Sequence, residues 1–390
     1  SAGNIRVREG VTFNSANGLT NQVTGGGAIT LAGGSSTDAN GLPTGYAYSP
    51  STSTAAWGAV VPSGVQLGAY TRDYGGGSYT NEIKFYSGGG NVLLKGKAAN
   101  GAPGISWYGG SAGGTQVIDA GAGTILLDGQ SVGNGHGIEL TYYGGVTTPT
   151  LRSSSSANEA ISLIGYTSTT GGWAGYQGTV TMIASGAGGI KVSGTTLGTG
   201  AAVNAGSLNM YALSGPISVT GIGGTGLAVG GAWGVGGGIA SSSSNITLTA
   251  NAMSTGGTTV NTTGTLTIQP YGNDFSSGYA FNNWTLSSSL TGLTIGKSAT
   301  GSDGTNDQNV TLAGVSINGP IAIYANTIYQ NGSLAANSAG GSVLLDGNVV
   351  LGADNISLTA GTAGVTLGGN VNSDAAASLR ALTVTSTGGD

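Results

Sequence analysis

The chain has 390 residues, of which 79 are Gly, none is Cys and one is His; 10 basic and 15 acidic side chains leave a net charge of -5. With 38% apolar and 6% charged residues, it is too apolar for charge-driven disorder. Its irregular Gly and only 8 Pro exclude a collagen helix, the absence of Cys excludes disulfides and thiolate metal sites, and the few dispersed cations cannot form a nucleic-acid footprint.

In chain order, short alternations of apolar and small polar residues recur, each closed by Gly, Asn, Asp or Ser. They are AITLAGG (28–34), NVLLKG (91–96), GISWYGG (104–110), TILLDG (124–129), GIELTYYGG (137–145), AISLIG (160–165), TVTMIASG (179–186), GIKVSG (189–194), SLNMYALSG (207–215) and PISVTG (216–221). NITLTAN (245–251), TLTIQP (265–270), GLTIG (292–296), NVTLAG (309–314), IAIYAN (321–326), SVLLDG (342–347), NISLTAG (355–361) and GVTLGG (364–369) follow. A period of two predicts strands, and no window carries a sustained helical spacing. The run 219–240 is uncharged but holds ten glycines, each costing about 1 kcal/mol in a helix, so it reads as strands and turns and no membrane insertion is expected. The amino end lacks the apolar core of a signal peptide, and any secretion signal is expected outside this stretch.

Spacing sets the architecture. In 342–369 the apolar pairs Val343/Leu345, Val349/Leu351, Ile356/Leu358 and Val365/Leu367 start 6, 7 and 9 residues apart, too close for hairpins between long strands. Three such strands with their corners make a coil of about 20 residues that buries its inner face by stacking on its neighbours. The predicted fold is all-β, a right-handed parallel β-helix forming one shaft over 1–390, with about 17 to 19 coils and a length of roughly 80–90 Å. Glycine is expected at corners needing a positive φ, and neutral Ser, Thr and Asn ladders on the outer faces, where like charges would repel at about 4.8 Å. Two stretches break the rhythm, 42–80 and 270–310, and read as loop-rich insertions.

The tail GGSVLLDGNVVLGADNISLTAGTAGVTLGGNV, with NITLTAN, TLTIQP, NVTLAG and AGSLNMYALSGPISVTG, resembles the repeat region of filamentous-haemagglutinin-like exoproteins of Gram-negative bacteria. The resemblance covers about 90–390 and rests on repeat style. It implies a β-helical shaft, exported with an outer-membrane pore as partner and used extracellularly or at the cell surface for adhesion or biofilm cohesion. No Asn-Pro pair occurs, so the family's amino-terminal secretion domain is expected to be absent and the chain to be a segment of a longer fibre. A Cys-free chain suits passage through an oxidising periplasm.

Chemistry is sparse. Any Ser-His-Asp triad must use His136, beside Asp128 and Glu139, yet no Gly-x-Ser-x-Gly elbow accompanies it; a turn histidine is the simpler reading. A glycan-cleaving β-helix would stack carboxylates on adjacent coils; Asp119 and Glu139, with Asp128, and the pair Asp346 and Asp354, are the candidates, although acids scattered at corners look the same. The expectation is no catalytic site and no cofactor, apart from one candidate calcium loop at Asp303, Asn306 and Asp307, whose oxygen ligands suit the ion but whose spacing matches no known calcium repeat. The binding candidates are aromatic: Tyr46, Tyr48 and Trp57 in one set, Phe275, Tyr279, Phe281 and Trp284 in the other, able to stack on sugars or fill a partner's pockets or else to cover small satellite cores. Trp107, Trp173 and Trp233 read as packing residues. The expected role is a fibrous adhesin segment with a glycan or surface receptor as partner; the alternatives are a filament self-associating end to end and a polysaccharide lyase or hydrolase.

Overall fold

The structure is a computed structural model, and it describes residues 3–7, 10–15, 24–37, 43–49, 63–68, 82–99, 101–108, 114–141, 148–168, 170–298, 308–375 and 379–387. Among these there is no helix, and every alternating segment named above contains a strand. The fold is the expected parallel β-helix, with the right-handed winding that parallel crossovers adopt. One coil shows the plan. Val92–Ala98 runs along a first face, Ile105–Tyr108 along a second and Gln116–Asp119 along a third, and Ile125–Ser131 then lies parallel on Val92–Ala98 in unbroken register.

The first face is the spine, twelve strands deep among the described residues. Ile29, Val92, Ile125, Ile161, Ile190, Ile217, Ile246, Leu266, Leu293, Ile321, Val343 and Val365 sit one above another. A second column runs beside them from Leu31 through Leu127 and Ile268 to Leu367. The third face stacks Phe13, Phe85, Ile118, Leu151, Met182, Met210, Trp233, Val260 and Leu286 in the same way. Most of these side chains are fully buried, each removing roughly 1.5–3 kcal/mol of apolar surface from water. At about 4.8 Å per step the spine is roughly 50–55 Å long, shorter than the 80–90 Å expected. Coil length explains the difference. The coil closes in 20 residues between Asn245 and Thr265 and in 22 between Asn348 and Asn370, but takes 33 between Asn91 and Thr124.

The corner between the first and second faces accounts for the glycines. Gly96, Gly129, Gly165, Gly194 and Gly221 form a column in exact strand register, each continuing a strand rather than ending it. None has a positive φ. A Cβ on Gly129 would run into the carbonyl oxygen of Gly137, and one on Gly137 into the amide nitrogen of Tyr166; Gly96 faces Gly104, and Gly165 faces Gly175, in the same way. These glycines are therefore demanded by backbone meeting backbone at a tight corner. The expected positive-φ corners exist elsewhere, as at Gly121 with φ 55°.

Polar residues serve the stack as well. Asn91 Oδ1 accepts from the Thr124 amide at 2.9 Å, Asn245 Oδ1 from Thr265 at 3.0 Å and Asn348 Oδ1 from Asn370 at 3.1 Å, so one amide side chain at a corner joins successive coils. Ser131, Ser153 and Ser244 point inward, and their hydroxyls donate to the carbonyls of Ala102, Gly123 and Ala212 in the coil before. This satisfies buried groups that would otherwise be costly.

Among the described residues the stack is interrupted at a dislocation on two faces, since Tyr279–Phe281 is not bonded to the second-face strand before it and, one coil later, Trp284–Leu286 is not bonded to the third-face strand after it. Leu227–Gly234 and Met253–Asn261 run through the corner between the second and third faces, whereas Ile321–Gln330 and Val343–Leu351 run through the corner between the first and second. Between these regimes the third face is interrupted: its upper sheet ends at Trp284–Leu286, and a separate four-stranded sheet begins at Val315–Ile317. Much of 270–310, expected as an insertion, is thus shaft, since Tyr279–Phe281, Trp284–Leu286 and Gly292–Ile295 all pair with neighbouring coils. Of the stretch 42–80, residues 43–49 and 63–68 are described; Pro43–Gly45 closes an antiparallel pair with Gly33–Thr37.

Gly129→Ala is expected to lower unfolding free energy by about 3 kcal/mol through overpacking at the corner, while Gly206→Ala, where a Cβ meets nothing, should be neutral or slightly stabilising; denaturant titration of the two variants measures the contrast. Tyr176 is fully buried with its hydroxyl lacking a partner, so Tyr176→Phe should leave the thermal midpoint unchanged or raise it, by up to about 1 kcal/mol in stability.

Candidate functional site

Tyr46 and Tyr48 lie on a short segment laid over the first face. Ala47–Ser49 pairs in parallel with Gly96–Ala98, which puts Tyr48 directly over Lys97. The Tyr46 hydroxyl donates to Asp128 Oδ2 at 2.6 Å and accepts from Gln130 Nε2 at 2.6 Å. Lys95 Nζ stands 4.7 Å from the Tyr46 ring centroid, donates to the Thr44 carbonyl at 2.9 Å and lies 4.0 Å from Asp128. Burial raises the Asp128 carboxyl above the usual carboxylate range, and the Tyr46 hydrogen bond and Lys95 partly offset it. Burial, with Asp128 beside it, likewise pushes the Tyr46 phenol well up. The Tyr46 hydroxyl, Asp128 Oδ2, Gln130 Nε2 and Lys95 Nζ are all engaged within the cluster, so it acts as a fastener holding the segment to the shaft. Trp57, the third member of this set, lies outside the described residues, as do Asp303, Asn306 and Asp307.

Of the two readings open for the second aromatic set, three of its four residues take the packing one. Phe275, Tyr279 and Phe281 are buried and plug the dislocation. Phe275 stacks on Tyr279 at 5.4 Å, Phe281 stacks on Trp284 at 5.1 Å, and Trp284 meets Trp233 edge-on at 5.8 Å. The Tyr279 hydroxyl lies 3.0 Å from Thr255 Oγ1. Their task is to fill the volume left where two strand stacks change partners. Trp284 alone stays half-exposed, on a cleft of about 310 Å³.

That cleft opens between the two ends of the interrupted third face. Trp284–Leu286 bonds only to the strand before it and Val315–Ile317 only to the strand after it. The two coils are pinned on either side, by the Ala313 amide to the Phe281 carbonyl at 3.2 Å and the Asn318 amide to the Leu290 carbonyl at 3.1 Å. Trp284, Leu286 and Val315 give the cleft its apolar wall, and Asn282, Asn283, Thr285 and Ser316 its polar rim. Asn283 takes φ 58°, a left-handed conformation that Asn tolerates better than most residues, and this turns the chain into the edge strand. Among the described residues no acid, base or charged group lines the cleft, and the lining described is equipped to bind rather than to transfer protons. The sequence signal was Asn282-Asn283-Trp284, but only register shows that it borders an opening.

The acidic candidates do not converge. Asp119 ends a third-face strand over Arg152, whereas Glu139 lies on the second face between Ser106 and Gln177. Asp128 belongs to the Tyr46 cluster, and Asp354 pairs with Arg380 at 2.6 Å. Among the described residues no three His, Asp or Glu side chains come together as a metal site would need. Trp107 and Trp233 are fully buried packing residues. Trp173 is more exposed and meets His136 edge-on at 4.9 Å.

Burial pushes the His136 imidazole down to about 4, and the Ala174 amide donates to its Nδ1 at 3.1 Å, which holds the neutral form. The folded value lies below the unfolded value near 6.5, so its contribution is complete above pH 6.5 and is lost as pH falls toward 4. The wild type should lose roughly 2–3 kcal/mol over that window, and His136→Asn should flatten the dependence; urea midpoints at pH 7, 5.5 and 4.5 check this. Compared with protein-family models, curated proteins and solved structures, the chain matches none.

Proposed function

We propose that the chain is a segment of a secreted or cell-surface fibrous protein of a Gram-negative bacterium, in which the β-helix is a rigid stalk and its outer faces and cleft serve attachment to cells, surfaces or biofilm. The observation that carries this reading is the spine itself: a deep parallel stack whose polar groups are spent on joining coils and whose acids stay apart. The resemblance of its repeats to filamentous-haemagglutinin-like exoproteins points the same way, and with it export through an outer-membrane pore. A glycan-cleaving role loses its main support, because Asp119 and Glu139 stand on different faces.

Beads coated with the full chain are expected to adhere to host-cell or biofilm layers severalfold better than beads coated with an unrelated β-protein; equal adhesion overturns the reading. Electron microscopy should show rods of one length at all concentrations. Lengths that grow with concentration would point to a self-assembling filament, and release of reducing ends from polysaccharide would point to an enzyme.

A further inference from the structure

We infer that the cleft at the dislocation, between Trp284–Leu286 and Val315–Ile317, is a binding site for a neutral pyranose ring, either free or at the end of a glycan. Three observations carry it. First, it lies between two facing strand edges that are not bonded to each other, so backbone amides and carbonyls border it in addition to the Asn282 and Asn283 side chains. An apolar occupant would leave these groups unpaired at a cost, and an ion would meet no opposite charge among the described lining residues.

Second, size and spacing limit the occupant. Cα atoms of the two strands lie within 8 Å of each other, closer than the roughly 9.5 Å that a third strand between them would need. A peptide therefore cannot complete the ladder here, and the occupant seats at the mouth of the cleft against Trp284. The volume of about 310 Å³ sits at the low end of the roughly 300–1,000 Å³ of small-molecule sites, which suits one or two rings.

Third, the half-exposed Trp284 offers apolar surface beside hydrogen-bonding groups, the combination a sugar presents in return. The indole is fixed by Phe281 and Trp233, and Asn283 holds its left-handed turn, so little ordering is left to binding.

The site deepens the attachment reading and rests on it only for the sugar being surface-borne. The test uses the full chain against immobilised neutral oligosaccharides ending in glucose, galactose, mannose or N-acetylglucosamine, with the free monosaccharides as competitors. Saturable binding to at least one is expected, weakened about tenfold or more by Thr285→Arg, an exposed rim position, and by Asn283→Gly, which keeps the φ while removing the amide. Unfolding midpoints should stay near wild type. Competition by the free sugar identifies the ring as the ligand; competition only by oligosaccharides identifies the glycan end, and both support the site. No binding at millimolar sugar, equal affinity in both variants, or binding of acetylated tetrapeptides in place of sugars overturns it. Bead adhesion separates the two readings: sugar binding without adhesion fails the attachment role alone, and adhesion undiminished by Thr285→Arg fails the cleft as its ligand site.

Discussion

Stacking of each coil on the last at about 4.8 Å is the constraint that the rest of this molecule obeys. It places every side chain over its equivalent one turn on, so a residue is acceptable only if it tolerates a near copy of itself above and below. Val, Ile and Leu do so inside, and the Ile217, Ile246 and Leu266 succession is the result. Asn does so at corners because its amide can reach the next coil's backbone. Charge does so poorly, and several of the few charges are paired, as Lys191 with Glu159 at 2.7 Å and Arg380 with Asp354 and Asp374.

At the dislocation this rule lapses. The second and third faces lose their pairing, one coil apart, while the first face stays bonded throughout. Large rings fill what the ladder no longer fills: Phe275, Tyr279, Phe281 and Trp284 pack against one another and against Trp233. The cleft is what remains unfilled on the outside. Packing and candidate function therefore share one origin, a mismatch between two regular stacks.

The first face was legible in the sequence because its strands are long enough to alternate, as in TILLDG and SVLLDG. The second and third faces were read in part, as in GISWYGG, TVTMIASG and SLNMYALSG, and missed where strands are brief: Val65–Leu67, Tyr176–Gly178 and Val203–Ala205 are three residues each, too short for any period to show. Coil length was read from 342–369, where corners are brief, and it does not extend to the longer corners upstream. The glycines were read as turn formers, although Gly129 and Gly165 are needed for close approach, a property of two segments that no single segment displays. The aromatic run at 275–284 was visible as a cluster, but whether its rings face water depends on register, and register placed three of the four inside.

The glycine columns bear on how such a shaft could change in length. Because the tight corner is fixed by backbone contact at Gly96, Gly129, Gly165 and Gly194, each turn from Gly96 to Gly221 carries its own copy of the same hinge, independent of how long the other two edges are. A whole turn could then be duplicated or excised in evolution without refitting its neighbours, provided that the cut falls between equivalent hinges.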